Sequence, residues 1–188
     1  MAEFFLFAFA FATFTSGFAL FAERRFTWHG VPFGPKEVGY VFMYSGLLGI
    51  LVQGAMRQGV LVRRLGETRL VTLGLLSGAA GYALLGFSFG IASLLLAATI
   101  ASFGTGVLRP ALTSLITQQV SRSEQGVVLG LNQSLLSVAQ IVGPAMAGAL
   151  IDRGYLTSWA LSSALVLGIA LLLNLRARGR QAEVPEAT

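Results

Sequence analysis

The sequence has very little charge and no cysteine. Charged residues make up 11% of its 188 residues, whereas a soluble domain ordinarily has about 25%. With 55% hydrophobic residues and a mean hydropathy of +0.75, the chain has too little polar surface to cover a globule in water. The absence of cysteine excludes a disulfide framework, a thiolate metal site and a cysteine nucleophile. These shortages predict an all-α integral membrane protein.

Residues for catalysis, metal binding and nucleic-acid binding are also scarce. The single histidine, His29, lies in a loop rich in proline and glycine, with no second ligand at metal spacing. No acidic residue lies in the middle of an apolar segment, so nothing there could activate a serine. The basic residues are scattered over several loops and do not form one basic face. We therefore expect no enzyme activity, no cofactor, no metal and no nucleic-acid partner.

The uncharged runs predict six membrane spans. About 20 helical residues, at ~1.5 Å each, cross a hydrocarbon core of ~30 Å. The uncharged stretch between Arg69 and Arg109 is about twice that long, so it must fold back, and we place the turn at 87–90. The predicted spans are about 4–22, 38–56, 70–86, 91–116, 126–151 and 155–175, and 176–188 is predicted to be a polar cytoplasmic tail.

The distribution of basic residues predicts the orientation. Arginine-rich short loops tend to remain in the cytoplasm. The side that holds both predicted termini carries Arg57, Arg63, Arg64, Arg69, Arg122, Arg176, Arg178 and Arg180, and the other side carries Arg24, Arg25, Lys36 and Arg153. We therefore expect a multi-pass protein of the cell (inner or plasma) membrane, in contact with the lipid bilayer, with both termini in the cytoplasm.

Small residues recur within the predicted spans. Lipid gives no hydrophobic push between helices, so small residues at helical spacing are what permit close backbone approach. The second span contains Gly46 and Gly49, the third Gly74, Gly78 and Gly81, and the fourth Gly104 and Gly106. This pattern predicts a compact bundle of helices.

A basic loop between the second and third spans has the densest charge in the chain. Its sequence is GVLVRRLGETRL, from Gly59 to Leu70. In it, Gly59, Leu61, Arg64, Gly66 and Leu70 resemble the loop signature of the major facilitator superfamily. Arg63 stands where the family has an aspartate, and Glu67 stands where it has a basic residue, as in degraded second copies of the signature. We take Gly59, Arg63, Arg64, Gly66 and Glu67 as candidate gating residues.

A second resemblance lies in the fifth span. Gly143, Pro144 and Gly148, in the run IVGPAMAGAL, resemble the Gly-Pro-x-x-Gly-Gly signature of the drug:proton antiporter branch, with Ala147 in place of one glycine. The run FALFAERRF after the first span and the RPAL at Arg109 are similar to bacterial multidrug and tetracycline-efflux carriers. Independently of the resemblance, Pro144 predicts a kinked helix at a small-residue contact.

The resemblance implies one half of a major facilitator superfamily fold, corresponding to helices 7–12, the C-terminal six-helix half. It further implies a proton-coupled exporter of drugs or metabolites. Transport in such carriers is rocking of one half against the other, so the expected partners are a missing N-terminal six-helix half or a second copy, and a small-molecule substrate. The alternatives are a non-transporting membrane scaffold or accessory subunit, or an inactive truncated transporter.

Polar residues on one face of the fifth span are candidates for a substrate cavity. Gln133, Ser137 and Gln140 share a helical face with Pro144, and polar residues in a span commonly face a bundle interior or a water-filled cavity. The alternative is that they hydrogen-bond to neighbouring helices. Asn132, nearer the cytoplasmic end, fits the cavity stripe less well.

Two further features have both a functional and a structural interpretation. Arg109, inside the fourth span, could pair with a carboxylate or an anionic substrate group, or it could extend its long side chain to the headgroups. In the first span, an aromatic stripe could line a drug-binding cleft or could contact lipid and other spans. The stripe consists of Phe7, Phe11, Phe14, Phe18 and Phe21.

Overall fold

The computed structural model describes residues 1–182, in which six long helices dominate. They are α1 (Ala2–Arg25), α2 (Pro35–Arg57), α4 (Glu67–Gly86), α5 (Ile91–Gln118), α6 (Gln125–Asp152) and α7 (Leu156–Ala182), with a short helix α3 (Val60–Leu65) between α2 and α4. Each long helix is apolar and long enough to cross a membrane. The predicted all-α membrane fold with six spanning helices is therefore confirmed.

Two connections contain structure that the sequence analysis treated as loop. Between α1 and α2, the strands β1 (Thr27–Trp28) and β2 (Val31–Pro32) form an antiparallel hairpin. Its turn uses His29 and Gly30, both with positive φ. The basic loop contains α3. We call the end of the bundle that carries this hairpin the hairpin end, and the opposite end, where α1 begins, the terminal end.

The seventh helix continues beyond its predicted span. The sequence analysis placed a polar tail from residue 176, whereas α7 remains helical to Ala182. Arg178 extends back along the bundle and donates a hydrogen bond from its guanidinium to Thr72 Oγ1 at 3.0 Å. That contact and the high helix propensity of arginine favour the extension. The rest of the predicted tail, 183–188, lies outside the described residues.

Glycines bring α4 and α5 into backbone contact. A Cβ added to Gly104 would lie 2.5 Å from the Gly78 backbone nitrogen and 2.6 Å from the Gly74 carbonyl oxygen. A Cβ added to Gly81 would lie 2.6 Å from the backbone nitrogen of Ala101. These separations are too short for any side chain, so the interface exists because these positions are glycine.

An aromatic core fills the hairpin end. Trp159 of α7 is fully buried, and its ring centroid lies 4.9 Å from that of Phe21. Its indole Nε1 donates a hydrogen bond of 3.1 Å to the Thr13 carbonyl oxygen of α1. Gly17 provides the room, since a Cβ there would lie 2.5 Å from that same nitrogen. Packing and a satisfied polar group thus fix α1 against α7.

Two helices lie at the margin of the bundle. Within the most apolar 18-residue window of each helix, 11% of α2 and 22% of α6 is buried, against 50% of α1 and α4. Large apolar side chains on these two helices face outward, among them Met43, Ile50 and Ile141. The six-helix bundle therefore leaves one apolar side, formed by α2 and α6, without a protein partner among the described residues.

Candidate functional site

A cavity of about 720 Å³ lies among α1, α2, α4, α5 and α6. Ligand cavities that bury drug-sized molecules occupy roughly 300–1,000 Å³, so this one can hold such a molecule. Its wall includes residues of both marginal helices, such as Gly46 on α2 and Gln140 on α6. We call this space the main cavity.

Aromatic side chains of α1 form much of the main cavity wall. Four members of the predicted stripe line it, namely Phe7, Phe11, Phe14 and Phe18. Phe21 does not, because it is buried among the aromatic residues of the hairpin end. Phe14 stacks on Tyr82 of α4, with ring centroids 4.4 Å apart and planes inclined by 17°. The stripe is therefore divided between the wall of the main cavity and contacts with other spans.

Polar groups are distributed over three walls of the main cavity. Arg109 of α5 and Gln140 of α6, both predicted candidates, line it. The hydroxyl group of Tyr82 is buried beside it and has no hydrogen-bond partner among the described residues. The arrangement offers a ligand a few polar contacts inside an apolar surface, which is how small-molecule sites achieve orientation.

Several cavity residues were missed by the sequence analysis. Ser102 and Thr105 share a face of α5 with Arg109, and Gln53 shares a face of α2 with Gly46 and Gly49; all of them line the main cavity. The signal was present, since residues spaced by three and seven positions lie on one helical face. Gln53 was missed because the sequence analysis assigned the face it shares with Gly46 and Gly49 to contact between helices.

The other predicted polar residues of α6 are placed differently. Ser137 lines neither cavity, and its hydroxyl donates a hydrogen bond of 3.0 Å to the Gln133 carbonyl oxygen of its own helix. Gln133 lines a second, smaller cavity of about 240 Å³. The three predicted residues are thus separated: Gln140 lines the main cavity, Gln133 lines the smaller one, and Ser137 bonds to its own helix.

This smaller cavity lies toward the terminal end, between α1, α5 and α6. Its wall includes Phe4, Arg109, Thr113, Asn132 and Gln133. Arg109 lines the main cavity as well, so one guanidinium group borders both spaces. Asn132 is 5% exposed, and neither its Oδ1 nor its Nδ2 has a hydrogen-bond partner among the described residues.

The residues of the predicted kink have three separate environments. Gly143 meets α1 closely, since a Cβ there would lie 2.8 Å from the Thr13 backbone nitrogen. Pro144 lies inside α6 and lines the main cavity. At Gly148 an added Cβ would meet no atom within 4 Å. Close helix contact therefore falls on Gly143 and not on Gly148.

The basic loop is bounded by two glycines in left-handed conformations. Gly59 has a φ of 72° and Gly66 a φ of 76°, a region that residues with a Cβ avoid. Between them, Arg63 and Arg64 are exposed. Glu67 begins α4 and accepts hydrogen bonds from Ser114 Oγ at 2.9 Å and Gln118 Nε2 at 3.1 Å. Its carboxylate therefore ties the start of α4 to the end of α5, beyond the favourable effect of negative charge at a helix N-terminus.

Two arginines at the hairpin end bind the ends of other helices. Arg25 donates from Nη2 to the Gly86 carbonyl oxygen at 2.9 Å and from Nε to the Ser88 carbonyl oxygen at 3.1 Å. Its guanidinium carbon also lies 4.0 Å from the centroid of the Phe89 ring. Arg24 donates to the carbonyl oxygen of Ile151. The two arginines thus donate to carbonyl groups at, or just beyond, the C-terminal ends of α4 and α6.

Comparison with known proteins shows the family. The family model described as Major Facilitator Superfamily matches residues 3–188. Multidrug resistance protein 2 of Bacillus subtilis (strain 168) is 30% identical over 148 residues, which cover 79% of this chain and 35% of that protein. Tetracycline resistance protein, class C, of Escherichia coli is 30% identical over 153 residues, which cover 79% of this chain and 37% of that protein.

A solved structure shows the same fold. The human organic anion transporter MFSD10 (TETRAN) superposes with a TM-score of 0.75 and 23% sequence identity, covering 92% of this chain and 40% of that one. The chain therefore spans between 35% and 40% of the length of these relatives. Its six spanning helices share the fold of part of that human transporter. The chain belongs to the major facilitator superfamily, among relatives named for drug resistance.

Proposed function

We propose that the chain is one half of a secondary transporter and carries small organic molecules through the main cavity. The observation that carries the proposal is an aromatic cavity of about 720 Å³ bordered by the two least buried helices, α2 and α6. In carriers of this fold, the substrate site lies between two halves that rock against each other. A cavity at the uncovered side of one half is where that site belongs.

The partner is proposed to be a first six-helix half or a second copy of this chain. The exposed apolar side chains of α2 and α6 would be covered by that partner, as interfaces between rocking halves require. The degraded loop signature and the position of Gly143 and Pro144 in the fifth span support assignment of these helices as helices 7–12 of the complete fold. The same side could alternatively be covered by lipid in a non-transporting scaffold.

We further propose that the protein lies in a cell membrane with both termini in the cytoplasm, and that it couples export to protons. The names of the relatives, which refer to multidrug and tetracycline resistance, support export. Among the described residues, no aspartate or glutamate lines either cavity. Coupling would therefore depend on a carboxylate from the partner half. Arg63 and Arg64 would face anionic lipid, each contributing about 1 kcal/mol to anchoring.

Binding and uptake of an aromatic dye, measured separately in proteoliposomes, test the proposal. We expect saturable binding that Phe14→Ala weakens about 10-fold, because the ring that stacks on Tyr82 is lost from the wall. Ser137→Ala is the matched control and should bind normally, because this hydroxyl lines neither cavity. Absence of saturable binding would contradict the proposal.

The uptake arm separates the alternatives. Uptake by the chain alone would indicate that two copies form the transporter. Binding by the chain alone, with uptake only after co-expression with a first six-helix half, would indicate a carrier divided between two chains. Absence of both would favour the scaffold.

A further inference from the structure

The buried amide of Asn132 is the polar group that the fold leaves without a role. It is 5% exposed, and both of its polar atoms lack hydrogen-bond partners in the part of the chain that the structure describes. Burying such a group without a partner is unfavourable, because its hydrogen bonds to water are lost and not replaced. The amide lines the smaller cavity, so a ligand that enters this space can satisfy it.

Arg109 determines the charge that such a ligand should carry. It is the one charged residue among those that line the two cavities in the described chain. Phe4, which also borders both, makes the surroundings apolar. A positive charge next to an apolar wall, with no carboxylate on that wall to compensate it, favours an anionic group.

The donors match an oxyanion. A guanidinium group has five N–H donors in a planar fork, and an asparagine amide has two more together with one acceptor. Both side chains line the smaller cavity, so a carboxylate there can accept from both at once, and the guanidinium group retains further N–H donors. Charge-assisted hydrogen bonds of this kind are about twice as strong as neutral ones.

We propose that the smaller cavity binds a carboxylate or similar oxyanion of the substrate, through Arg109 and Asn132, while the aromatic body of the same molecule occupies the main cavity. This inference rests on the proposed transport function, because it assigns the substrate class of the same site. The preferred substrate is an aromatic organic acid in its anionic form.

Three probes of the same shape test the inference. Naphthoate, naphthamide and naphthylmethylammonium share one ring system and differ in charge. We would measure their equilibrium binding to the chain in phosphatidylcholine nanodiscs, with empty nanodiscs as the blank. The naphthoate is expected to bind at least about 10-fold more tightly than the amide, and the ammonium compound most weakly.

Variants assign the preference to named side chains. Asn132→Leu, which keeps the number and branching of the side-chain heavy atoms, and Arg109→Gln should each bring the ratio of acid to amide affinity close to one. If the leucine variant fails to fold, Asn132→Asp keeps the size of the side chain but replaces its N–H donors with an acidic group, and it should lower the ratio at least as far. Gln140→Leu is the control: it should weaken acid and amide by similar factors and leave their ratio unchanged.

The outcomes separate this inference from the transport proposal. Equal binding of acid and amide, or an unchanged ratio in Asn132→Leu and Asn132→Asp, would overturn the oxyanion site and leave the main cavity as a binding site. Binding of none of the three probes would overturn both. Loss of naphthoate binding when phosphatidylglycerol is added would assign the oxyanion site to a lipid headgroup, and would overturn its assignment to the substrate.

Discussion

The glycines of the α4–α5 interface and those of α2 are alike in sequence and different in structure. At Gly104 and Gly81 an added Cβ would overlap backbone atoms at 2.5 and 2.6 Å, whereas at Gly46 and Gly49 it would meet no atom within 4 Å. The first pair closes an interface. The second pair lines the main cavity and gives it volume. Small residues at helical spacing therefore mark two opposite features, close contact and empty space.

This difference is physical and not a matter of composition. A glycine leaves empty the space that its own side chain would fill, and a neighbouring helix either occupies that space or leaves it free. Helix α5 fills the space beside α4, whereas the bundle offers no helix to fill the space beside Gly46. The side of the bundle that lacks a partner is thus also the side on which the cavity lies.

The largest expected effect separates the two kinds of glycine directly. Gly104→Ala places a methyl group against backbone atoms of α4, so the free energy of unfolding should fall by about 3 kcal/mol. Gly46→Ala adds the same methyl group where there is room, and should be neutral or slightly stabilising. Reversible unfolding in mixed micelles measures both. Similar losses in the two variants would remove the distinction.

A larger side chain at Gly46 should lower the affinity for ligand and leave the free energy of unfolding unchanged. Gly46→Leu would place three more carbon atoms than alanine in the main cavity, and dye affinity should fall about 10-fold through steric exclusion. The unfolding transition should stay close to that of the wild type. Unchanged affinity in a folded Gly46→Leu variant would show that this part of the cavity does not hold the ligand.

A further test concerns the contacts of Arg25, which join helices at the hairpin end. Arg25→Gln removes the hydrogen bonds to the Gly86 and Ser88 carbonyl oxygens and the contact with Phe89, so the free energy of unfolding should fall by about 2 kcal/mol. Arg153→Gln is the matched control, because Arg153 is exposed at the same end. An equal effect of both substitutions on the unfolding transition would argue that net charge, and not the contacts of Arg25, is responsible.

The smallest expected effect concerns the pH dependence of the turn that precedes α6. Hydrogen bonds from the Ser121 side chain, at 2.6 Å, and from its backbone N–H, at 3.1 Å, lower the pKa of Glu124 below its usual value of 4.5. A lowered pKa stabilises the turn above the unfolded-state pKa, and this contribution disappears as the pH falls through the folded-state pKa.

An NMR titration checks this sign. The Ser121 amide resonance should move with a midpoint below 4.5, and Glu124→Gln should abolish the movement. A midpoint at or above that value would contradict the hydrogen-bonded turn.

The six spans followed from charge distribution and length because a membrane imposes both. Hydrocarbon excludes charge and sets a minimum helix length, so each charged loop in the sequence marks an end. The short helix α3 and the extension of α7 could not be found in this way. Both depend on local conformation and on contacts such as that of Arg178 with Thr72, which link residues far apart in the chain.

The candidate site was only partly predictable. Gln140 and Arg109 were found because polarity inside a span is rare, and the same reasoning would have found Gln53. Asn132 was ranked low because its position along α6 suggested the membrane boundary, whereas it is buried in the folded bundle. Burial depends on which helices are neighbours, and one sequence does not specify that pairing.

Accessibility of two adjacent residues on α6 is the most direct test of the central claim that the cavity beside Gln140 is a water-accessible binding site. The chain contains no cysteine, so Gln140→Cys and Ile141→Cys each carry a single thiol on different faces of one helix. A membrane-impermeant methanethiosulfonate reagent should modify Gln140→Cys rapidly, and bound naphthoate should slow that reaction, while Ile141→Cys stays unreactive. A protected thiol at position 140 together with a reactive one at 141 would contradict the account.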